Sequence, residues 1–148
     1  MTDHLAFMIP NHKADGRLGA NSRANWRTKY KLLNADKQTA WELTLGCLSE
    51  IGLPDDFLCG GKEYREPDEV FPIIIHFKRF YSGNAKQWDD DNLASAYKGL
   101  RDGISIALNR NDKFFKSKIE QVHTEKDNWL EVVIYPKWAD IPKMVLDL

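Results

Sequence analysis

The chain has 148 residues, of which 43% are hydrophobic and 29% charged, and its formal net charge is -1. These values are typical of one ordinary globular domain with a real core. No apolar run is long enough to span a membrane, and the N-terminus lacks a secretory pattern, so we expect a cytoplasmic protein. Cys47 and Cys59 lack metal-site spacing, and reduced thiols are therefore expected.

Charge is unevenly distributed along the chain. Residues 1–40 contain seven Lys or Arg against three Asp, and residues 109–118 contain four against one. Residues 50–70 contain seven acids against two bases. A protein of near-zero net charge can therefore still present a basic face to a nucleic acid.

The N-terminal part of the chain combines a strand with a basic, aromatic segment. Leu5–Pro10 has the apolar character of a short strand. The following segment is Gly-rich and contains two aromatic residues, Trp26 and Tyr30. They lie among four cations, namely Arg23, Arg27, Lys29 and Lys31. Such interleaving favours phosphate contacts combined with base or sugar stacking. The alternative is a surface loop with Trp26 buried in the core.

A helix is predicted next, with Asn34 as its N-cap. Trp41, Leu45 and Leu48 recur at helical spacing, which predicts a core-facing stripe up to about Ile51. A Gly and a Pro follow and end the helix. The acidic region after them is predicted to be a loop with no catalytic role.

Phe71–Tyr81 is nearly continuously apolar, which predicts a central strand covered on both faces. His76 lies inside this run, where a hydrogen-bonded core residue is the more common case than a catalyst. Lys78 and Arg79 lie toward its end and are candidates for contact with a DNA backbone.

Three consecutive acids, Asp89, Asp90 and Asp91, open an amphipathic helix. One or two acids would satisfy the helix N-terminus, so the third is surplus to capping. Mg²⁺ takes carboxylate oxygens and shares its other positions with water or phosphate. Asp89 and Asp91 are the expected ligands, because alternate residues of an extended segment point to one side. An EF-hand calcium loop is excluded, since apolar residues would occupy its later ligand positions.

The helix after the acids has two contrasting faces at about 100° per residue. The apolar face is predicted to pack on the core and comprises Leu93, Ala96, Tyr97, Leu100, Ile104, Ala107 and Leu108. The opposite stripe is polar and comprises Asp91, Ser95, Lys98, Asp102 and Ser105. Lys98 either pairs with Asp102 on a solvated face or reaches back toward a metal-bound phosphate.

One further acid lies in a basic segment. Asp112 has four cations near it in sequence, Arg110, Lys113, Lys116 and Lys118. It is either a turn former or a carboxylate placed at the scissile DNA backbone.

Two strands are predicted to close the domain. Ile119–Glu125 and Trp129–Tyr135 have strand character, and Asp127-Asn128 suits a two-residue hairpin turn between them. The tail that follows contains prolines and several apolar residues, which makes it a candidate contact for a partner subunit.

The run DDDNLASAYKGLRDGI, with the later pair Asn111-Asp112, resembles the signature of the RusA-type Holliday junction resolvases, especially those of phages and prophages. In that family an Asp-x-Asp-Asn motif, a helical lysine and a later Asp bind Mg²⁺ and cut four-way DNA junctions. The matching residues are Asp89, Asp91, Asn92, Lys98 and Asp112. The lysine lies about a turn later than in family members with the shorter spacing.

We expect a two-layer α+β domain over residues 1–148, with a mixed sheet of about four strands and two main helices on one face. The resemblance implies a homodimeric, Mg²⁺-dependent endonuclease for branched DNA in recombination and repair, with Mn²⁺ as a substitute ion. The implied metal ligands are Asp89, Asp91 and Asp112, and Lys98 is implied to stabilise the transition state. The expected DNA contacts are Asn21, Arg23, Arg27, Lys78, Arg79, Lys113 and Lys116.

Two alternatives from other functional classes stay open. One is a DNA-junction binding protein of the same fold that cleaves poorly. The other is a non-enzymatic interaction module whose acids only cap a helix.

Overall fold

The predicted α+β architecture is confirmed by a computed structural model, which describes residues 4–51, 73–112, 115–135 and 141–148. The strands are β1 (Leu5–Pro10), β2 (Ile74–Ser82), β3 (Lys116–Thr124) and β4 (Trp129–Tyr135). The helices are α1 (Trp26–Ile51), α2 (Asp90–Ala96), α3 (Lys98–Leu108) and α4 (Lys143–Leu146), and a 3₁₀ turn covers Gly16–Leu18. No helix within the described ranges is long and apolar enough to cross a bilayer.

The four strands form one mixed sheet in the order β1-β4-β2-β3. β4 runs antiparallel to both of its neighbours, whereas β3 runs parallel to β2. β2 is internal, as its apolar sequence predicts, and Phe77 pairs with Val132 on one side and Ile119 on the other. The described part of the predicted strand begins after Phe71, which lies outside the described residues. Phe77 and Val132 are fully buried and belong to the main core.

The predicted hairpin between the last two strands is wrong, because β2 lies between β3 and β4. The connection crosses the end of β2 instead of turning tightly. Asn128 accepts a hydrogen bond at its side-chain oxygen from the Ser82 amide, at 3.0 Å. Asp127 takes a left-handed conformation with φ 60°. Asp127 and Asn128 do lie in the connection between the two strands. The strands themselves are not neighbours, because β2 pairs with β3 on one side and with β4 on the other.

The helix after the acids is not continuous. It is interrupted at Tyr97, which ends α2 and precedes α3 with φ -92° and ψ 8°. The Tyr97 ring is buried and packs against Phe77 with a centroid distance of 5.0 Å. The predicted apolar face is otherwise confirmed by its buried members Leu93, Ala96, Tyr97, Leu100, Ile104 and Leu108.

α1 begins at Trp26, well before the predicted N-cap at Asn34. Asn25 caps it: its side-chain oxygen accepts from the Arg27 amide at 2.8 Å, and its carbonyl accepts from the Lys29 amide at 3.0 Å. The segment predicted as a basic loop therefore continues into the first turns of a helix. The alternative that buried Trp26 is wrong, since 69% of this residue is exposed.

The core-facing side of α1 also differs from the predicted stripe. Ala40 and Thr44 are fully buried, whereas Leu45 is among the exposed apolar residues. The Thr44 hydroxyl donates to the Ala40 carbonyl at 2.6 Å, which satisfies this polar group inside the core. Small residues on this side allow the close approach of α3.

Two glycines of α3 make that approach possible. A methyl group at Gly99 would lie 2.6 Å from the Leu33 carbonyl oxygen, and one at Gly103 would overlap the Lys37 carbonyl oxygen. Neither α1 carbonyl can move away without disturbing its helix. α3 is therefore held against α1 in one position, together with the polar side chains that it carries.

The second face of the sheet is partly covered by the end of the chain. Ile74, Tyr135 and Val145 form a smaller buried cluster there. The Lys118 ammonium donates to the Leu146 carbonyl at 2.9 Å. The described part of the tail, residues 141–148, thus packs on its own sheet, although the sequence made it a candidate contact for a partner.

His76 is confirmed as a hydrogen-bonded core residue. It lies on the second face of the sheet and its Nε2 is 3.2 Å from a carboxylate oxygen of Glu120. Burial lowers the pKa of His76, and Glu120 opposes this shift. Of the two cysteines, Cys47 is a free thiol that contacts the Ala6 carbonyl at 3.3 Å, and Cys59 lies outside the described residues.

Candidate metal and nucleic-acid site

The three consecutive acids open a helix, as predicted. Asp89 is the N-cap of α2 with an extended backbone, and its carbonyl accepts from the Leu93 amide at 3.1 Å. Asp90 and Asp91 lie in the first helical turn, so only Asp89 is extended. The argument that placed Asp89 and Asp91 on one side from an extended run is therefore wrong in its geometry, because the helix begins one residue after Asp89.

All three carboxylates are exposed and available. Asp89 makes no capping hydrogen bond with its side chain. Within the described part of the chain, none of the three side chains forms a hydrogen bond or an ion pair. Three unpartnered carboxylates on consecutive residues repel one another, and a bound cation would relieve this repulsion.

Side chains of α2 tie this helix to the N-terminal loop. The Asn92 side-chain oxygen accepts from the Ala20 amide at 3.1 Å. The Ser95 hydroxyl donates to the Leu18 carbonyl at 3.1 Å. These two bonds join segments more than 70 residues apart in the sequence. The asparagine of the acidic motif therefore positions the loop beside the acids.

The loop and the acids enclose two adjoining open cavities. The first has a volume of about 440 Å³ and is lined by Gly16, Gly19, Asn21, Ser22, Gln87, Trp88, Asp89 and Asn92. The second has a volume of about 420 Å³ and is lined by Ala20, Asn21, Asp89, Asp90, Asp91 and Asn92. Asn21 and Asp89 line both cavities. A predicted DNA contact and a predicted metal ligand are thus brought together.

Arg79 has a structural part that the sequence did not indicate. It is only 6% exposed, and its guanidinium donates to the Lys86 carbonyl at 2.9 Å and to the Gln121 side-chain oxygen at 2.7 Å. Gln121 also bonds the backbone of Trp88 in both directions, at 3.0 and 2.8 Å. Arg79 therefore holds the segment that leads into Asp89, and its donors are not directed at solvent.

Lys98 is paired with Asp102 in the structure. Its ammonium lies 3.2 Å from a carboxylate oxygen of Asp102, one turn further along α3, and the lysine side chain is 55% exposed. This is the first of the two interpretations that the polar stripe allowed. An exposed pair of this kind contributes at most about 0.5 kcal/mol, so it breaks easily.

Asp112 adjoins the same pair. Burial raises its pKa, and a hydrogen bond with Asp102 and the charge of Asp102 raise it further. Lys98 and Arg101 lower it, which shows that both cations lie close. A hydrogen bond between two carboxyl groups needs a proton on one of them. A second polar group is thus formed by Lys98, Asp102 and Asp112. We call its two acids the Asp102–Asp112 pair.

The structure does not assemble the predicted three-aspartate site. Among the residues it describes, no group of three or more His, Cys, Asp or Glu is placed to hold a metal ion. Asp102 is eleven residues beyond Asp91, which corresponds to roughly 16 Å along the helices. Asp112, as the partner of Asp102, lies with the second group. Two of the four predicted catalytic residues, Lys98 and Asp112, are brought together, and the other two stand at the start of α2.

The predicted DNA contacts differ in their availability. Arg23, Arg27 and Lys116 are exposed. The Lys78 ammonium lies 3.8 Å from Glu120 on the second face of the sheet. Lys113 lies outside the described residues.

Three residues of the site were missed by sequence reasoning. Asp102 was recognised only as part of a polar stripe, although its partner Asp112 is close in space. Asn92 was matched to a motif without a role, and its bond to Ala20 supplies one. Gln121 lies in a strand and carries no local signal, because its importance comes from bonds to Arg79 and Trp88.

The sequence matches no protein-family model and no curated protein. The likeness to the resolvases therefore depends on the motif residues alone.

Proposed function

We propose that this protein is a Mg²⁺-dependent, structure-selective endonuclease that cuts branched DNA such as a four-way junction. The observation that carries the proposal is the cluster of three exposed, unpartnered aspartates at the start of α2. These acids line a cavity together with Asn21, and a basic segment follows Asn21 in the sequence. An anionic strand approaching such acids is repelled unless a cation stands between them.

The donor set fits magnesium. Asp89 and Asp91 offer hard oxygen ligands, and Mg²⁺ is commonly held by one or two carboxylates with water and phosphate at its other positions. When bound, the ion lowers the pKa of a coordinated water and neutralises charge on the phosphate. Mn²⁺ shares these preferences and should substitute for it.

The second polar group supplies the other proposed catalytic residues. Lys98 is exposed and weakly paired, so its ammonium is available to neutralise charge on a DNA phosphate. Asp112 is proposed as the third carboxylate of the metal site. In the structure Asp112 lies beside Asp102, so it would hold the ion with Asp89 and Asp91 only if it moved away from Asp102.

Two further features of the proposal come from its DNA substrate. A four-way junction is resolved by two equivalent cuts, which a homodimer makes with one site on each subunit. A DNA substrate is also compatible with the cytoplasmic location that the sequence predicts. Sedimentation of the full chain with and without a junction tests the dimer.

The decisive experiment compares a labelled four-way junction with a linear duplex of the same sequence. The wild-type chain should nick the junction with Mg²⁺ or Mn²⁺ and should leave it intact in EDTA. Asp91→Asn should abolish nicking while junction binding stays equal or becomes stronger, because a charge facing the phosphate is removed. Asp147→Asn, a change at an exposed acid near the C-terminus, is the matched control and should cleave normally. Activity of Asp91→Asn within a few-fold of wild type would end the proposal.

One observation favours a second candidate function. The separation of Asp112 from the acids of α2 is what a junction-binding protein without cleavage would show. That protein would bind the junction more tightly than linear duplex and would leave it uncut with either ion. The same experiment therefore separates the two candidates.

A further inference from the structure

Two large aromatic side chains project into solvent at the start of α1. Trp26 is 69% exposed and Tyr30 is 62% exposed. They are four residues apart in a helix, so they are neighbours on one face. Side chains of this size are rarely left side by side in water on a monomer, and such a pair is typical of an interaction surface. We call this pair the aromatic step.

The charges around the aromatic step select its partner. Residues 19–34 contain four cations and no acid. Lys29 is committed to the Ser22 carbonyl at 3.0 Å, which leaves Arg23, Arg27 and Lys31 exposed. The Arg27 guanidinium lies 5.5 Å from the centre of the Trp26 ring. Aromatic rings among cations suit a polyanion with flat, exposed bases.

A short loop, fastened by hydrogen bonds, connects the aromatic step to the cavities beside the acids. Asn21 lines both cavities with Asp89, and Trp26 follows Asn21 by five residues. Five residues span at most about 18 Å. The loop between them is fastened at one end by the Ala20–Asn92 bond and at the other by the Lys29–Ser22 bond. A few nucleotides of single strand therefore reach from the acids to the step.

We propose that Trp26 and Tyr30 stack on unpaired bases of the strand whose backbone enters the acidic site. This inference takes its DNA substrate from the proposed function, on which it depends, and it adds the class of DNA that the protein would select. The protein would select branched DNA that has a short single-stranded segment beside the branch. Paired bases in a duplex keep their faces stacked on one another, so a fully paired arm offers the step nothing to bind.

Binding in EDTA tests the inference without any cleavage. The probes are a fluorescein-labelled 12-nucleotide oligo-dT and a 12-base-pair duplex, titrated with the full chain at low salt. Trp26→Ala and Tyr30→Ala should each weaken oligo-dT binding about tenfold or more, as expected for loss of one base stack. Duplex binding, which depends on the unchanged cations, should move less than about threefold.

Two control variants sharpen the experiment. Trp26→Phe keeps a flat ring and should retain oligo-dT binding within about threefold. Met144→Ala removes an equally exposed apolar side chain, 63% exposed, from the other end of the chain and should change nothing. Thermal melts should be the same for all four variants, since each altered side chain is mostly exposed.

Three results would overturn the inference: no loss with either alanine, equal losses for duplex and oligo-dT, or a loss with Trp26→Phe as large as with Trp26→Ala. Failure here and failure of the proposed function are distinguishable. A chain that nicks junctions but binds oligo-dT equally well after Trp26→Ala refutes only the stacking. A chain that never nicks but loses oligo-dT affinity in both alanine variants refutes only the nuclease.

Discussion

Two acidic regions of this protein contain the same residue type in opposite situations. At the start of α2, Asp89 and Asp91 are exposed and have no partner among the described residues. On α3 and just after it, Asp102 pairs with Lys98, and Asp112 lies beside Asp102. Burial and the neighbouring carboxyl raise the pKa of Asp112, whereas the acids of α2 stand in water.

The difference shows that composition alone does not assign a carboxylate its role. Asp89 and Asp91 have no partner among the residues that the structure describes, and a cation would satisfy their charge. Asp112 lies beside Asp102, and it would have to leave that carboxyl group before it could join a metal site at the start of α2.

The largest effect is expected when the two members of the Asp102–Asp112 pair are changed separately. Asp112→Asn should lower cleavage of a junction by about 100-fold or more, as loss of a metal ligand would. Asp102→Asn should retain cleavage within about threefold, because Asp102 only holds Asp112 in the uncomplexed protein. Single-turnover rates with Mg²⁺ measure both. Equal losses would show that the pair acts as one unit, and no loss with Asp112→Asn would remove it from the site.

The position of Asp102 on α3 depends on the close contact of α1 and α3. Gly103→Ala should lower the free energy of unfolding by about 1–3 kcal/mol, because the new methyl group overlaps the Lys37 carbonyl. Gly46→Ala is the matched control in α1, since a methyl group there meets nothing within 4 Å. It should raise the free energy of unfolding by up to about 1 kcal/mol through helix propensity. Urea denaturation of the two variants measures both, and equal signs would contradict the packing argument.

Asp36 offers a third environment, neither free in water nor paired. Burial raises its pKa from 3.8 to about 6, and Asp15 adds to the shift. A raised pKa in the folded state means that protonated Asp36 stabilises the fold below pH 3.8, and this contribution is lost as the pH rises through about 6. Asp36→Asn should therefore raise the free energy of unfolding at pH 7 by on the order of 1 kcal/mol and have little effect at pH 3.5.

Urea midpoints across that pH range measure the Asp36 effect. Asp147→Asn, at an exposed acid, is the control and should show no such pH dependence. A stabilisation by Asp36→Asn that is the same at both pH values would show that the cause is not the charge of Asp36.

The smallest effect concerns the N-caps of the two helices. Asp89→Asn should change the free energy of unfolding by less than about 0.5 kcal/mol, because its side chain makes no capping bond. Asn25→Ala should cost about 1 kcal/mol, because the Asn25 side chain bonds the Arg27 amide. Thermal melts in EDTA compare them. A larger loss for Asp89→Asn would mean that the acids of α2 serve the fold rather than a cation.

Much of the fold was predictable because its signals are local. β1 spans the predicted residues, and the continuous apolar run of β2 marked it as internal. The apolar stripe of α2 and α3 matched the buried face, since helical periodicity is a property of neighbouring residues. The acids that open α2 were also recognised from sequence, by their number alone.

Other features needed the whole chain. The helix breaks at Tyr97, whose ring packs on Phe77, and a periodic pattern does not reveal this break. The start of α1 was missed because Asn25 and Asn34 are equally good caps by type, and only the observed bond to Arg27 separates them.

The sequence by itself determined the strands, the apolar face of the helices after the acids and the position of the three acids, because these depend on side chains a few residues apart. Only the tertiary structure decided where α1 begins, that β2 separates β3 from β4, that Arg79 and Gln121 hold the segment before Asp89, and that Asp112 lies beside Asp102. These outcomes depend on which distant segments compete for the same neighbour, and that competition is resolved by packing and by hydrogen bonds across the whole fold.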